Sequence, residues 1–255
     1  MYCSAQETSI HISMTLSRTD ILRINLKHCE FKFSGNVSAV AIHIGALKNP
    51  YLDQDDVLNA IFIHIPKSAG TSIRRSLYAQ KSFHIPASRY KAADSRKFEC
   101  YFKFSFVRNP YSRLVSAYYY LRQKHDADMR FPDHRWAATY LSDKPTFRDF
   151  VIALAEQNYR RNVRKYIHFR DQIDWISEPG NNGERKILVD FVGRYERLED
   201  DFAQISRRLG YSVPLTQERI GQRKEDYRTS YTPQMVDIVS EIYKSDIKAF
   251  DYRFE

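Results

Sequence analysis

The stretch Ile61-Phe-Ile-His-Ile-Pro-Lys-Ser-Ala-Gly-Thr-Ser-Ile-Arg-Arg-Ser-Leu-Tyr78 constrains the fold more than any other. Ile61, Phe62, Ile63 and Ile65 form an apolar run of the length expected for a buried parallel strand. Pro66 has no N–H to donate to a ladder, so the strand stops there. Gly70 permits backbone angles or a close approach that other residues resist. Thr71 or Ser72 is a natural cap for a following helix, with Ile73 and Leu77 on one face. Backbone N–H groups at such a turn point toward the positive helix end and make an anion site. Lys67 adds a mobile charge, and Ser68, Thr71 and Ser72 add hydroxyl donors. Together they form a P-loop-like strand–loop–helix, so an α/β fold is expected: a three-layer sandwich with a central parallel sheet.

A second unit of the same kind follows. Phe102, Phe104 and Phe106 alternate with Tyr101, Lys103 and Ser105, the pattern of a strand. Arg108 ends it, Asn109 is a good N-cap and Pro110 a good first helical residue. Leu114, Val115, Tyr118 and Leu121 mark the buried side of that helix. Arg108 thus stands at the carboxyl end of a strand, the edge where open α/β sheets bind ligands. Arg113 and Ser116 share a helix face, and Arg108 with Ser116 can hold a second phosphate. Two phosphate cradles on neighbouring units suit a nucleotide with phosphates at both ends of its ribose. The formal charge of +9 favours anionic ligands without choosing among them.

The remaining chain carries weaker signals. Residues 1–58 read as an N-terminal extension, a β-hairpin turning at Ser34-Gly35-Asn36 being one form it can take, with Asn49-Pro50 and Asp53-Gln-Asp-Asp56 as a loop before the main domain at 59–255. Residues 122–145 read as an excursion or lid loop whose His and Asp residues lack metal-ligand spacing. Thr146 through Asp149 resembles a capping box before a helix carrying Phe147, Phe150, Val151 and Leu154. The basic segment Tyr159–Arg170 either lines a groove for an acidic substrate or is a solvated face. Ile187–Val192 reads as a third strand, Leu198–Leu209 as a helix ended by Gly210, and Thr232-Pro233 as the start of the last helix. No run of about 18 apolar residues occurs, so no integral membrane segment is expected. Cys3, Cys29 and Cys100 are too few and too scattered for a disulfide framework or a zinc site.

The two central motifs carry a family resemblance. Ile65-Pro-Lys-Ser-Ala-Gly-Thr-Ser72 resembles the 5′-phosphosulfate loop of sulfotransferases, and Phe106-Val-Arg-Asn-Pro-Tyr-Ser-Arg-Leu-Val-Ser116 their 3′-phosphate motif. The segments Val192–Asp201 and Tyr231–Tyr252 look like later landmarks of the carbohydrate-type group, which includes Golgi enzymes and soluble bacterial members. The resemblance implies 3′-phosphoadenosine 5′-phosphosulfate as co-substrate and a hydroxyl-bearing acceptor, a glycan or glycolipid, with no metal and no nucleic-acid partner. It places Lys67 on the bridging oxygen and sulfuryl group. Ser68, Ala69, Gly70, Thr71 and Ser72 fall on the 5′-phosphate, and Arg108 and Ser116 on the 3′-phosphate. His84 and His168 match regions where relatives place a histidine near the acceptor, with Asp94, Glu99 and Asp171 as further candidates for the base. Without an anchor in view, a soluble, cytoplasmic, bacterial enzyme is expected.

Two rivals remain at the level of the residues. A P-loop kinase places its Lys directly before Ser/Thr after Gly-x4-Gly, whereas Lys67 precedes Thr71 by several positions; Ile187-Leu-Val-Asp190 imitates the metal-binding strand of such enzymes. A basic nucleic-acid-binding module fits the charge but shows no helix–turn–helix, zinc-finger or RNA-binding signature.

Overall fold

A computed structural model describes residues 49–78, 83–123, 131–180, 184–211, 213–216 and 226–255. The hairpin around Ser34 and most of the polar loop at 221–228 lie outside the described residues.

The architecture centres on three parallel strands, β1 (Ala60–Ile63), β2 (Phe102–Val107) and β5 (Phe191–Arg194), in the order β1-β2-β5. The register sets Phe62 beside Phe104 and Phe106 beside Gly193. Side chains alternate across the sheet, so each face has its own core. Ala60, Phe62, Phe104 and Phe106 pack against Ile73 and Leu77 of α2 (Gly70–Leu77) and Phe202 and Ile205 of α10 (Leu198–Arg208). On the other face, Ile61, Ile63 and Val107 meet Tyr90 of α3 (Ala87–Ala93), Phe98 of α4 (Ser95–Cys100) and Trp175 of α9 (Ile173–Ile176). Helices therefore cover both faces, as expected for a parallel sheet.

A helical cluster extends the second unit. α5 (Pro110–Arg122) buries Leu114, Tyr118 and Leu121 against Phe150 and Val151 of α7 (Phe147–Ala153) and Met235 and Val239 of α11 (Pro233–Ile242). The capping box forms as expected: the Thr146 hydroxyl accepts from Asp149 N at 3.1 Å and Asp149 accepts from Thr146 N at 3.1 Å. Gly210 ends α10 in the left-handed region at φ 74°. Phe250 and Tyr252 tuck back onto the sheet.

Four expectations are corrected. Residues 53–58 are a helix, α1 (Asp53–Leu58), whose buried Asp55 accepts from Leu52 N at 2.8 Å; burial pushes that carboxyl up to about 6. The acidic first turn that reads as loop composition is also what a helix N-terminus favours. Within the expected lid, Pro132–Leu141 forms a helix, α6, that buries Trp136 and Leu141. The strand expected at 187–192 is split. Arg185–Ile187 (β4) pairs antiparallel with Ser177–Pro179 (β3), and the parallel strand begins only at Phe191. Gly193 explains the placement, because a Cβ there would lie 2.5 Å from the Phe106 ring. Finally, α11 is followed by α12 (Lys244–Phe250), so Thr232-Pro233 does not open the last helix.

Candidate active site

The turn from β1 to α2 carries Lys67. Its conformation is unusual: Lys67 and Ala69 take φ of 68° and 63°, left-handed values that L-residues avoid. Ala69, not Thr71 or Ser72, is the N-cap, without a side-chain cap; both hydroxyl residues lie inside the first turn of α2. Gly70 serves close approach, since a Cβ would sit 1.8 Å from the His64 ring. Three distant side chains hold the turn. Arg113 Nε donates to Pro66 O at 3.0 Å, and Arg108 Nη1 to Lys67 O at 3.4 Å. Ser68 Oγ donates to Gln172 Oε1 at 3.2 Å.

The turn from β2 to α5 has a local cap. Asn109 Oδ1 accepts from Tyr111 N at 3.1 Å, with Pro110 at the first helical position. Arg108 points back toward the first turn. Its Nε donates to Ser112 Oγ at 2.9 Å and its guanidinium lies 4.1 Å from the Tyr195 ring centre. Burial pulls its pKa down, so a compensating anion would relieve a desolvated charge. The Gln172 amide clamps the Arg108 backbone, accepting from its N and donating to its O, each at 2.8 Å. Ser116 is half-buried further along α5. Arg113, which shares its sequence spacing, turns inward and is buried, with Nη1 on Arg170 O at 2.9 Å.

A third group of side chains gathers beside Lys67. Its Nζ stands 4.0 Å from the Tyr120 ring centre, and the Tyr120 hydroxyl donates to Asp133 Oδ2 at 2.7 Å. Asp133 also receives the Tyr166 hydroxyl, and His168 Nε2 lies 3.4 Å from its Oδ1. Burial opposes ionisation of Asp133, but the bonds from His168, Tyr166 and Tyr120 outweigh it and hold the carboxyl below its usual range. The His84 and His168 ring centres are 6.3 Å apart. His84 Nδ1 lies 3.1 Å from His64 O; a carbonyl only accepts, so Nδ1 carries the proton and Nε2 the lone pair. Burial is the main cause that lowers the His84 pKa to about 4, which keeps the ring neutral near pH 7.

The sulfotransferase family model matches residues 50–253. The chain belongs to the sulfotransferase family. This sulfotransferase is 25% identical over 248 residues to carbohydrate sulfotransferase 11 of Rattus norvegicus, covering 81% of the chain and 67% of the relative. It is 28% identical over 183 residues to carbohydrate sulfotransferase 10 of Xenopus laevis, covering 66% and 49%. An uncharacterised protein of Archaeoglobus fulgidus is 27% identical over 118 residues, 46% of this chain and 75% of its own. No solved structure gives a significant match. Among the described residues of the sulfotransferase no group of His, Cys, Asp or Glu is arranged to hold a metal, and no helix is long and apolar enough to cross a membrane.

The structure brings Lys67, Ser68, Arg108, His84 and His168 to one edge of the sheet. Of the other candidates for the base, Asp171 is ion-paired to Arg164 and Asp94 caps α4 through Lys97 N at 2.9 Å. Asp190, which imitates a kinase metal ligand, precedes β5 and pairs with Lys103 at 3.0 Å, at the end of the sheet away from Lys67. Sequence reasoning missed Asp133, Tyr120, Gln172 and Ser112. Pro132-Asp133 is a legible helix start, and reading it would have found α6. Nothing local marks Gln172, whose partners lie 64 and 104 positions away.

Proposed function

We propose that this sulfotransferase moves the sulfuryl group of 3′-phosphoadenosine 5′-phosphosulfate to a hydroxyl of a carbohydrate. The observation that carries the reading is the junction of the two turns: Arg108 reaches back from β2 to Lys67 O at 3.4 Å, so both cationic residues share one edge of the sheet. The donor set suits the nucleotide. Lys67 and the start of α2 face one phosphate position, and Arg108 with Ser116 the other. Ser68 gives its hydroxyl to Gln172, so its part in the 5′-phosphate cradle falls to its backbone.

In the reaction the acceptor oxygen bonds to sulfur as the bond from sulfur to the phosphate oxygen breaks, leaving adenosine 3′,5′-bisphosphate. Lys67 stabilises charge on the departing bridging oxygen, and the turn holds donor and acceptor in line. His84 Nε2 accepts the hydroxyl proton; a neutral ring with its other nitrogen on a carbonyl is set up for that role. His168 and Asp133 line the acceptor side. The names of the carbohydrate sulfotransferases among the relatives support a glycan or glycolipid acceptor.

The test is calorimetric titration with adenosine 3′,5′-bisphosphate, with and without Mg²⁺, beside ATP. Metal-independent binding that Arg108→Ala removes is expected, with Lys67→Ala lowering transfer by roughly 10³-fold in a folded protein. His84→Ala is expected to lose roughly 10²-fold or more. Equal, Mg²⁺-dependent binding of ATP would put a kinase in its place.

A further inference from the structure

Lys67 is held at both ends of its side chain. At the root, its carbonyl accepts from Arg108 Nη1 at 3.4 Å, and the neighbouring Pro66 carbonyl accepts from Arg113 Nε at 3.0 Å. At the tip, Nζ stands 4.0 Å from the centre of the Tyr120 ring. A lysine head rides on a flexible four-carbon stem, so a fixed root does not by itself fix the ammonium. The ring supplies the second point. An ammonium within about 6 Å of an aromatic centre is attracted by the negative face of the ring.

The ring is itself anchored. The Tyr120 hydroxyl donates to Asp133 Oδ2 at 2.7 Å, and the His168 ring centre lies 5.1 Å from that of Tyr120. Asp133, on α6, is shared with the Tyr166 hydroxyl and with His168 Nε2. Tyr166 and His168 lie on the segment between α8 (Gln157–Arg164) and α9. Burial, with the bond to Asp133 adding to it, raises the Tyr120 phenol above its usual range. The phenol therefore stays neutral and meets Lys67 with its ring face, not as a phenolate. Tyr120 also continues a row. Ser112, Ser116 and Tyr120 recur at every fourth residue along α5. Ser112 Oγ accepts from Arg108 Nε at 2.9 Å at the start of that row, and Tyr120 comes about 12 Å further along. One helix thus carries a partner of Arg108 and a partner of Lys67. Tyr120 lies beyond the motif that ends at Ser116, and it is only half-buried at the edge of the helical core.

We infer that Tyr120 is a positioning residue for sulfuryl transfer: its ring face sets where the Lys67 ammonium stands, and Asp133 sets the ring. The inference rests on the reading of Lys67 as the residue that meets the departing bridging oxygen. Two readouts on the full chain test it. The first is the Lys67 Hε signal in protein labelled with carbon-13 lysine, assigned by its loss in Lys67→Arg. Protons over a ring face are shielded, so the signal is expected upfield of the other lysines in the wild type. It is expected to stay upfield in Tyr120→Phe and to join the other lysines in Tyr120→Leu. The second is transfer to water at saturating 3′-phosphoadenosine 5′-phosphosulfate. There a water oxygen bonds to sulfur, the bond from sulfur to the phosphate oxygen breaks, and the water proton passes to solvent. Tyr120→Leu is expected to lower this rate roughly tenfold while affinity for adenosine 3′,5′-bisphosphate stays within about twofold, and Tyr120→Phe to keep most of the rate. An unshifted Lys67 signal in the wild type overturns the inference. So does a wild-type rate in Tyr120→Leu, or a fall in rate matched by an equal fall in bisphosphate affinity, the mark of a purely structural loss. A wild type with the shifted signal but no bisphosphate binding would overturn the donor reading, and with it the role in transfer, while upholding the contact.

Discussion

The turn from β2 into α5 and the turn from β1 into α2 reach the same edge of the sheet by different means. The first carries its own cap, with Asn109 Oδ1 accepting from Tyr111 N and Pro110 starting the helix, and long-range bonds from Gln172 and to Arg253 O add to it. The second has no side-chain cap and two non-glycine residues in the left-handed region. Its shape is imposed by Arg113, Arg108 and Ser68–Gln172, bonds that span 47, 41 and 104 positions. Lys67 thus stands on a turn that its own sequence does not favour. Strain of this sort persists only where surroundings over-determine it. The same three contacts connect the turn to Arg108 at the end of β2, to Arg113 on α5 and to Gln172, so the two turns are positioned together.

The sharpest way to break this contrast is Arg113→Met. It leaves the carbonyls of Pro66 and Arg170 without their donor inside the core, and a loss of about 3 kcal/mol is expected in denaturant midpoints, with nucleotide affinity falling as the turn relaxes. Gly70→Ala comes next. Its Cβ would overlap the buried His64 ring, so the helix start or the ring must move at a cost of about 2 kcal/mol. Asn109→Ala removes one cap and should cost about 1 kcal/mol, with little change in the first turn. The smallest effect has the opposite sign. Ala69→Gly relieves a left-handed residue and should raise stability by about 0.5 kcal/mol after the entropic cost of glycine. A loss of stability there would mean that the turn is not strained, and the contrast between the two turns would fail.

Much of the fold was legible because its signals are local. Strand alternation in Phe102–Val107, the caps at Asn109, Thr146 and Thr232, and the stripe of Met235, Val239 and Ile242 all lie within a few residues of what they specify. The segment 53–58 misled because acidic residues suit both a polar loop and a first helical turn. The strand near Asp190 was displaced because pairing depends on a neighbour, the Phe106 ring, that fits only against Gly193. The site was half legible. Lys67 and Arg108 announce themselves in motifs, while Asp133 arrives at His168 on a helix 35 positions away.

The two strand–turn–helix units, their cationic residues and the basic stripe at 160–165 are readable in the chain alone, since periodicity, capping and charge are written in adjacent residues. What those residues do to one another depends on the packed fold. It turned Arg113 inward to hold two carbonyls, set Gln172 between Ser68 and Arg108, put the proton of His84 on Nδ1 and gathered the basic stripe around a cleft with Asp171 and Asp174. A buried hydrogen bond between distant segments forms because packing leaves each partner no water to bond, and no pattern of neighbouring residues encodes that.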